Sequence, residues 1–211
     1  DGAVNVMWFG AAGDGITDDT TNIQAGINAN VPLFIPNGIY KYSVLTGLSR
    51  SNLKITGAGS AVTTLYYTGS SEAFKLDGNG AFITELDVQG ISIKGNTNCT
   101  TLFYARDVAR SIFKDINVYE ANNSSGIGFN LLGCQLNYFE SCLCSQNRQS
   151  MSFPPYIGCY MAVSGMLLNS TNNTFQSCYM EGGATAGDMK IGYWLQTADQ
   201  NTFIGGASEA L

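Results

Sequence analysis

One pattern constrains this 211-residue chain more than any other: a recurring hexad whose first, fourth and sixth positions are apolar or small. It reads Val88, Ile91, Ile93; Phe113, Ile116, Val118; Phe139, Cys142, Cys144; Phe175, Cys178, Met180; and, more weakly, Phe203, Gly206, Ser208. Successive first positions lie 25, 26, 36 and 28 residues apart. Those intervals are too short for helical crossovers between parallel strands and suit one solenoid coil apiece. Stacked coils set equivalent positions about 4.8 Å apart, so the apolar positions pile into interior columns. The hexad predicts a bend after its first residue, then a strand with positions four and six facing inward.

A second repeat pairs Ile-Gly with three mostly bulky residues: Ile127-Gly128-Phe129-Asn130-Leu131, Ile157-Gly158-Cys159-Tyr160-Met161 and Ile191-Gly192-Tyr193-Trp194-Leu195. Asn137, Asn173 and Asn201 each stand two residues before a hexad phenylalanine, which predicts an asparagine ladder bonding from coil to coil. The 36-residue coil must extrude its surplus as surface loop, and the stretch from Gln149 to Tyr156, with Pro154-Pro155, suits that role. Loops beside a solenoid commonly wall a binding groove.

Only one segment reads as helix. Asp18-Asp19-Thr20-Thr21 supplies N-cap oxygens and first-turn acidity, and Ile23 and Ile27 fall on one face. An open solenoid end exposes strand edges and core, so the segment from Thr20 to Asn30 is expected to cap it. Nothing comparable covers the other end at Leu211. The expected division is a cap with first strands over residues 1–50 and coils over 51–211, as a fragment continuing beyond 211 or ending against another subunit.

Composition narrows the chemistry. A chain that is 45% hydrophobic and 12% charged can bury one sizeable core. Its net charge of -6 repels a phosphate backbone, so nucleic acid is not an expected partner. No apolar run approaches the roughly 18 residues of a membrane helix, so no membrane insertion is expected. The absence of histidine removes Ser-His and Cys-His nucleophile pairs, imidazole bases and most zinc sites. Carboxylates, Lys, Arg and Tyr are left, and no cofactor or metal is expected. The six cysteines read as buried free thiols, because a core of this size needs no bridges; Cys142 and Cys178 share one hexad column and Cys144 is also inward.

The opening residues carry a resemblance. Val6-Met7-Trp8-Phe9-Gly10-Ala11-Ala12-Gly13-Asp14-Gly15-Ile16-Thr17-Asp18-Asp19-Thr20, then Ile23-Gln24-Ala25-Gly26-Ile27 and Leu33-Phe34-Ile35-Pro36-Asn37-Gly38-Ile39-Tyr40, resemble the start of the pectate-lyase-like superfamily. The similar branch includes bacteriophage tailspikes and secreted glycan-active enzymes, and Asn52-Leu53-Lys54-Ile55-Thr56-Gly57-Ala58-Gly59 looks like its first full coil. The resemblance implies an all-β fold, a right-handed parallel β-helix solenoid with a short N-terminal capping helix. It further implies a tailspike-type depolymerase that binds bacterial capsule or lipopolysaccharide, assembles as a homotrimer, and works on the virion tail or outside the cell. Turn and helix-cap chemistry account for Gly13-Asp14-Gly15 and Asp18-Asp19 without a catalytic role.

Position seven of the hexad should point outward, and its occupants are Lys94, Tyr119, Ser145, Glu181 and Glu209. Two carboxylates one coil apart suit the pair of a glycoside hydrolase, at roughly 5 Å for retention or 6.5 Å and more for inversion. Mutual repulsion would raise one of them toward the range of a general acid. The glycines nearby, Gly182-Gly183 and Gly205-Gly206, equally suit a corner where each carboxylate caps backbone N–H groups. Glu140, at position two with Gln176, and Glu120 form a reserve pair. Tyr179, Tyr119 and Arg148 are the candidate sugar contacts. A polysaccharide lyase would need an Arg or Lys base and often Ca²⁺, and Asp107, Asp115 and Arg110, though near in sequence, form no recognisable metal loop. A noncatalytic receptor-binding or structural β-helix is the alternative of a different class.

Overall fold

A computed structural model of the chain describes residues 2–122, 125–145, 157–162, 169–181, 191–196 and 198–209. Parallel strands stack into a β-solenoid of about six turns with one short helix near the N-terminus. The Ile-Gly repeats build one side, a five-stranded sheet of Glu72–Asp77, Thr101–Arg106, Ile127–Leu132, Ile157–Ala162 and Ile191–Leu195. The hexads build two more sides. Their first positions lie in Tyr138–Glu140, Thr174–Gln176 and Thr202–Ile204, and positions five to seven lie in Leu143–Ser145, Tyr179–Glu181 and Ala207–Glu209. Asp87–Lys94 and Ile112–Tyr119 run through both sides.

The register of the hexads is in phase: Val88, Phe113, Phe139, Phe175 and Phe203 are successive partners. Period-two patterning enforces this, because a one-residue slip would carry the polar positions inward. Phe113, Phe139, Phe175 and Phe203 stack at centroid distances of 4.9, 4.7 and 5.0 Å, and Phe103 meets Phe113 edge-on at 5.1 Å. Phe203 joins the inner stack as expected but is 43% exposed, since no described coil lies above it. Gly128 is where the two repeats touch. A Cβ there would overlap Cys144 Sγ and the Gly158 carbonyl, which explains the glycine of the Ile-Gly repeat.

The expected bend after position one is corrected by the backbone. The chain turns at position three, where Gly90, Asp115, Ser141, Ser177 and Gly205 have φ of 69°, 52°, 53°, 51° and 62°. A second left-handed column stands three residues before each hexad: Asn30, Asn52, Glu85, Arg110, Leu136, Asn172 and Gln200. One left-handed residue turns the chain sharply while its amide still points at the next coil. Ser141 N donates to Gln176 O at 2.9 Å, and Ser177 N to Ile204 O at 2.8 Å. That preserved ladder offsets a conformation costing L-residues about 1–2 kcal/mol each.

The asparagine ladder forms: Asn137 Nδ2 donates to Asn173 Oδ1 at 3.0 Å, and Asn173 Nδ2 to Asn201 Oδ1 at 2.9 Å. Ser111 extends it downward, its amide donating to Asn137 Oδ1 and its hydroxyl accepting from Leu86 N. All six cysteines are free and buried. The Cys142 and Cys178 thiols donate to the carbonyls of Phe113 and Phe139 one coil below.

The helix spans Thr20–Asn28 and buries Ile23 and Ile27 in the core, as a cap should. Its predicted N-cap chemistry is only half right. Asp18 Oδ1 accepts from Thr20 N at 2.9 Å. Asp19 makes no cap bond. Buried, it accepts from Ala12 N at 2.7 Å and Gly13 N at 3.0 Å, lashing the preceding loop to the helix start. Two amides of the tight Gly13 turn have no strand partner and outcompete the helix for that carboxylate. Among the described residues no helix is long and apolar enough to cross a membrane.

Candidate functional site

Position seven forms a column of register partners. Asp18, Lys41, Tyr66, Lys94 and Tyr119 are successive partners at the helix-capped end. Ser145, Glu181 and Glu209 follow in the same register. The structure therefore brings the backbones of Glu181 and Glu209 directly opposite one another, about 4.8 Å apart as for neighbouring strands. Tyr179, two residues before Glu181 in the same strand, is 41% exposed, and Tyr119 is half-buried.

Below the glutamates the column is cationic and aromatic. Lys94 Nζ sits 4.9 Å from the centre of the Tyr66 ring and 3.4 Å from Glu120 Oε2. Such a cation over a ring contributes about 0.5–1 kcal/mol when exposed, and more when desolvated. Lys41 and Tyr66 were missed by sequence reasoning. Thr64-Leu65-Tyr66 does match positions five to seven, but in this coil the loop from Ala58 to Val62 separates it from position one at Ile55, so no intact hexad flags it.

Glu120 and Glu140 are not brought together. Glu140 partners Lys114 and Gln176 at position two, with its carboxylate 3.0 Å from Lys114 Nζ. Glu120 follows position seven at a left-handed corner and meets Lys94. Each is a link from one coil to the next. Arg148, the Gln149–Tyr156 stretch and Gly182-Gly183 lie outside the described residues.

The residues considered for a lyase go to three different places. Asp115 accepts from Ser60 N at 2.9 Å and from the Ser60 hydroxyl, holding the Ala58–Val62 loop against the sheet. Asp107 is buried and accepts from Gly80 N at 3.0 Å. Arg110 pairs with Glu85 at 3.3 Å. Among the described residues no three His, Cys, Asp or Glu side chains gather as a metal site.

Residues 3–203, nearly the whole chain, match the model of the rhamnogalacturonase A/epimerase, pectate lyase-like family. The chain belongs to that family. Among relatives of this pectate-lyase-like β-helix, the pre-neck appendage protein of Bacillus phage B103 is 30% identical over 126 residues, 55% of this chain and 14% of that protein. Alginate lyase 7 of Azotobacter vinelandii is 34% identical over 112 residues, 46% of this chain and 13% of that enzyme. The matches thus span a small part of either relative. Among solved structures, PfbA, a surface adhesin of Streptococcus pneumoniae, superposes with a TM-score of 0.61 over 97% of this chain and 57% of that one. At 15% identity this likeness concerns the fold. The family as met here includes a phage structural protein and a polysaccharide-active enzyme.

Proposed function

We propose that this pectate-lyase-like β-helix grips and hydrolyses a bacterial surface polysaccharide, capsule or lipopolysaccharide, as part of a tailspike-type appendage of a phage virion. The observation that carries the reading is the register pairing of Glu181 with Glu209 at the end of an outward column of Lys41, Tyr66, Lys94 and Tyr119. The rings offer sugars a stacking surface, the lysines offer donors to glycan oxygens, and the glutamates supply the acid with a base or nucleophile. Tyr179 and Arg148 are assigned to substrate binding. The assembly is proposed as a homotrimer, since closed cyclic symmetry buries one flank of each solenoid; a stable monomer of the full-length protein in light scattering would refute it.

Reducing-end release from a panel of bacterial polysaccharides tests the activity. Glu181→Gln and Glu209→Gln should each lower turnover by orders of magnitude, with glycan binding and melting temperature nearly unchanged. A variant that melts earlier, with activity per folded molecule intact, would make its carboxylate a structural cap. Products carrying an unsaturated sugar would mean elimination. Saturable binding without cleavage would favour a receptor-binding β-helix, a reading supported by the ion pairs that already occupy Glu120 and Glu140.

A further inference from the structure

The outer face of the five-stranded sheet carries a row of side chains that the hydrolytic reading leaves unused. Lys75, Tyr104, Asn130, Tyr160 and Trp194 are successive register partners and alternate with the inward column of Phe74, Phe103, Phe129, Cys159 and Tyr193. Asp77, Arg106, Leu132 and Ala162 run beside them.

The two ends of this face differ. At the end nearer the helix, charges neutralise one another and cover the ring. Arg106 makes two bonds to Asp77, at 2.6 and 2.9 Å, and Lys75 lies 3.8 Å from Asp77 and 5.4 Å from the centre of the Tyr104 ring, which is only 9% exposed. At the other end the described outward side chains are uncharged: Asn130, Leu132, Tyr160, Ala162, Trp194 and Gln196. There Trp194, in the last described coil, is 46% exposed and meets Tyr160 edge-on, centroids 5.5 Å apart. The Tyr160 hydroxyl donates to Gln196 Oε1 at 2.7 Å, so the ring is held from both sides before any ligand arrives. Asn130 Oδ1, one coil below, is buried with no hydrogen-bond partner among the described residues.

We infer that Tyr160 and Trp194 form a noncatalytic platform that binds an uncharged glycan segment, separate from the Glu181–Glu209 column. A pyranose presents an apolar C–H face that lies on an aromatic ring and hydroxyls that reach flanking amides. The platform supplies the first, a preformed pair of rings. Lack of charge among the described side chains at this end favours a neutral chain over a polyanion, and preorganisation lowers the entropy lost on binding. A protein partner would need a continuous apolar patch of several hundred Å², whereas two rings with short neighbours suit a narrow polymer.

The chain has two tryptophans, so Trp8→Phe leaves Trp194 as the only indole. In that background, titration with cellohexaose and chitohexaose should shift Trp194 emission saturably, and hexagalacturonate should not. By calorimetry, Trp194→Ala should raise Kd about tenfold or more while Trp194→Phe keeps most of the affinity. Glu181→Gln should leave Kd unchanged, which separates this face from the hydrolytic one. The inference is overturned if neither neutral probe binds, if only the acidic probe binds, if Trp194→Ala binds as well as the parent, or if Glu181→Gln abolishes binding. Loss of an oligomer in Trp194→Ala would also overturn it, making the face a contact between copies.

Discussion

Asn137 and Asn173 bond to each other across neighbouring coils, Nδ2 to Oδ1 at 3.0 Å, and each also donates to a turn carbonyl, Val108 O at 2.9 Å and Cys134 O at 2.8 Å. The side-chain oxygens of the ladder accept from the corner amides of Ser111, Asn137 and Asn173, while its amide groups add a second donor to carbonyls that Gln135 N and Thr171 N already reach. Asn173→Ala would leave the buried Asn137 amide without its acceptor, and would remove one of two donors from both the Cys134 carbonyl and Asn201 Oδ1. The expected loss is about 1–3 kcal/mol, the cost of leaving one buried amide unsatisfied. Urea unfolding should show it, and a loss near zero would mean that water replaces the ladder.

Gly128→Ala should destabilise by about 1–3 kcal/mol, the usual range for overpacking a core. The added methyl meets both Cys144 Sγ and the rigid Gly158 carbonyl. An unchanged melting temperature would show that neighbouring coils can separate without loss.

In the native protein Cys99 and Cys134 should resist alkylation at pH 8. Burial pushes Cys99 up to about 11 and Cys134 up to about 12, so thiolate is scarce and shielded. Mass spectrometry without reductant should find all six cysteines labelled once the chain is unfolded. Two missing labels would indicate a disulfide.

The Thr17 amide, with that of Ile16, holds the Asp14 carboxyl below its usual 3.8. Bonds from the Thr20 hydroxyl and amide do the same for Asp18. A lowered folded pKa means stabilisation that is complete above the unfolded value and lost as pH falls through the folded one. Asp14→Asn and Asp18→Asn should therefore lower the melting temperature at pH 7 and flatten its fall below pH 4. Parallel acid limbs for parent and variants would contradict this origin.

Lys94→Ala removes the Glu120 ion pair and the cation over Tyr66, both partly solvated. Stability should fall by less than about 1 kcal/mol. If the position-seven column binds the glycan, KM rises by more than that change explains. An unaltered KM would remove the lower column from the substrate path.

The inward columns, the register of Glu181 with Glu209 and the asparagine ladder were legible in the sequence, because each coil repeats the pattern and a stack converts sequence period into spatial neighbourhood. The left-handed corners were not. Asp115, Ser141 and Ser177 take a conformation usually left to glycine, and nothing in their identity announces it; it follows from closing a coil while keeping the ladder to the next.

The sequence by itself determined which residues face inward and which positions align from coil to coil, since apolar burial and period-two geometry are local properties summed over repeats. Only the tertiary structure decided which outward groups meet. Ser60 with Asp115, 55 residues apart, Glu120 with Lys94, Asp19 with the Gly13 turn and Tyr160 with Trp194 are contacts between loops or side chains of different coils. Their partners depend on loop length and corner angle, which the periodic part of the pattern does not encode.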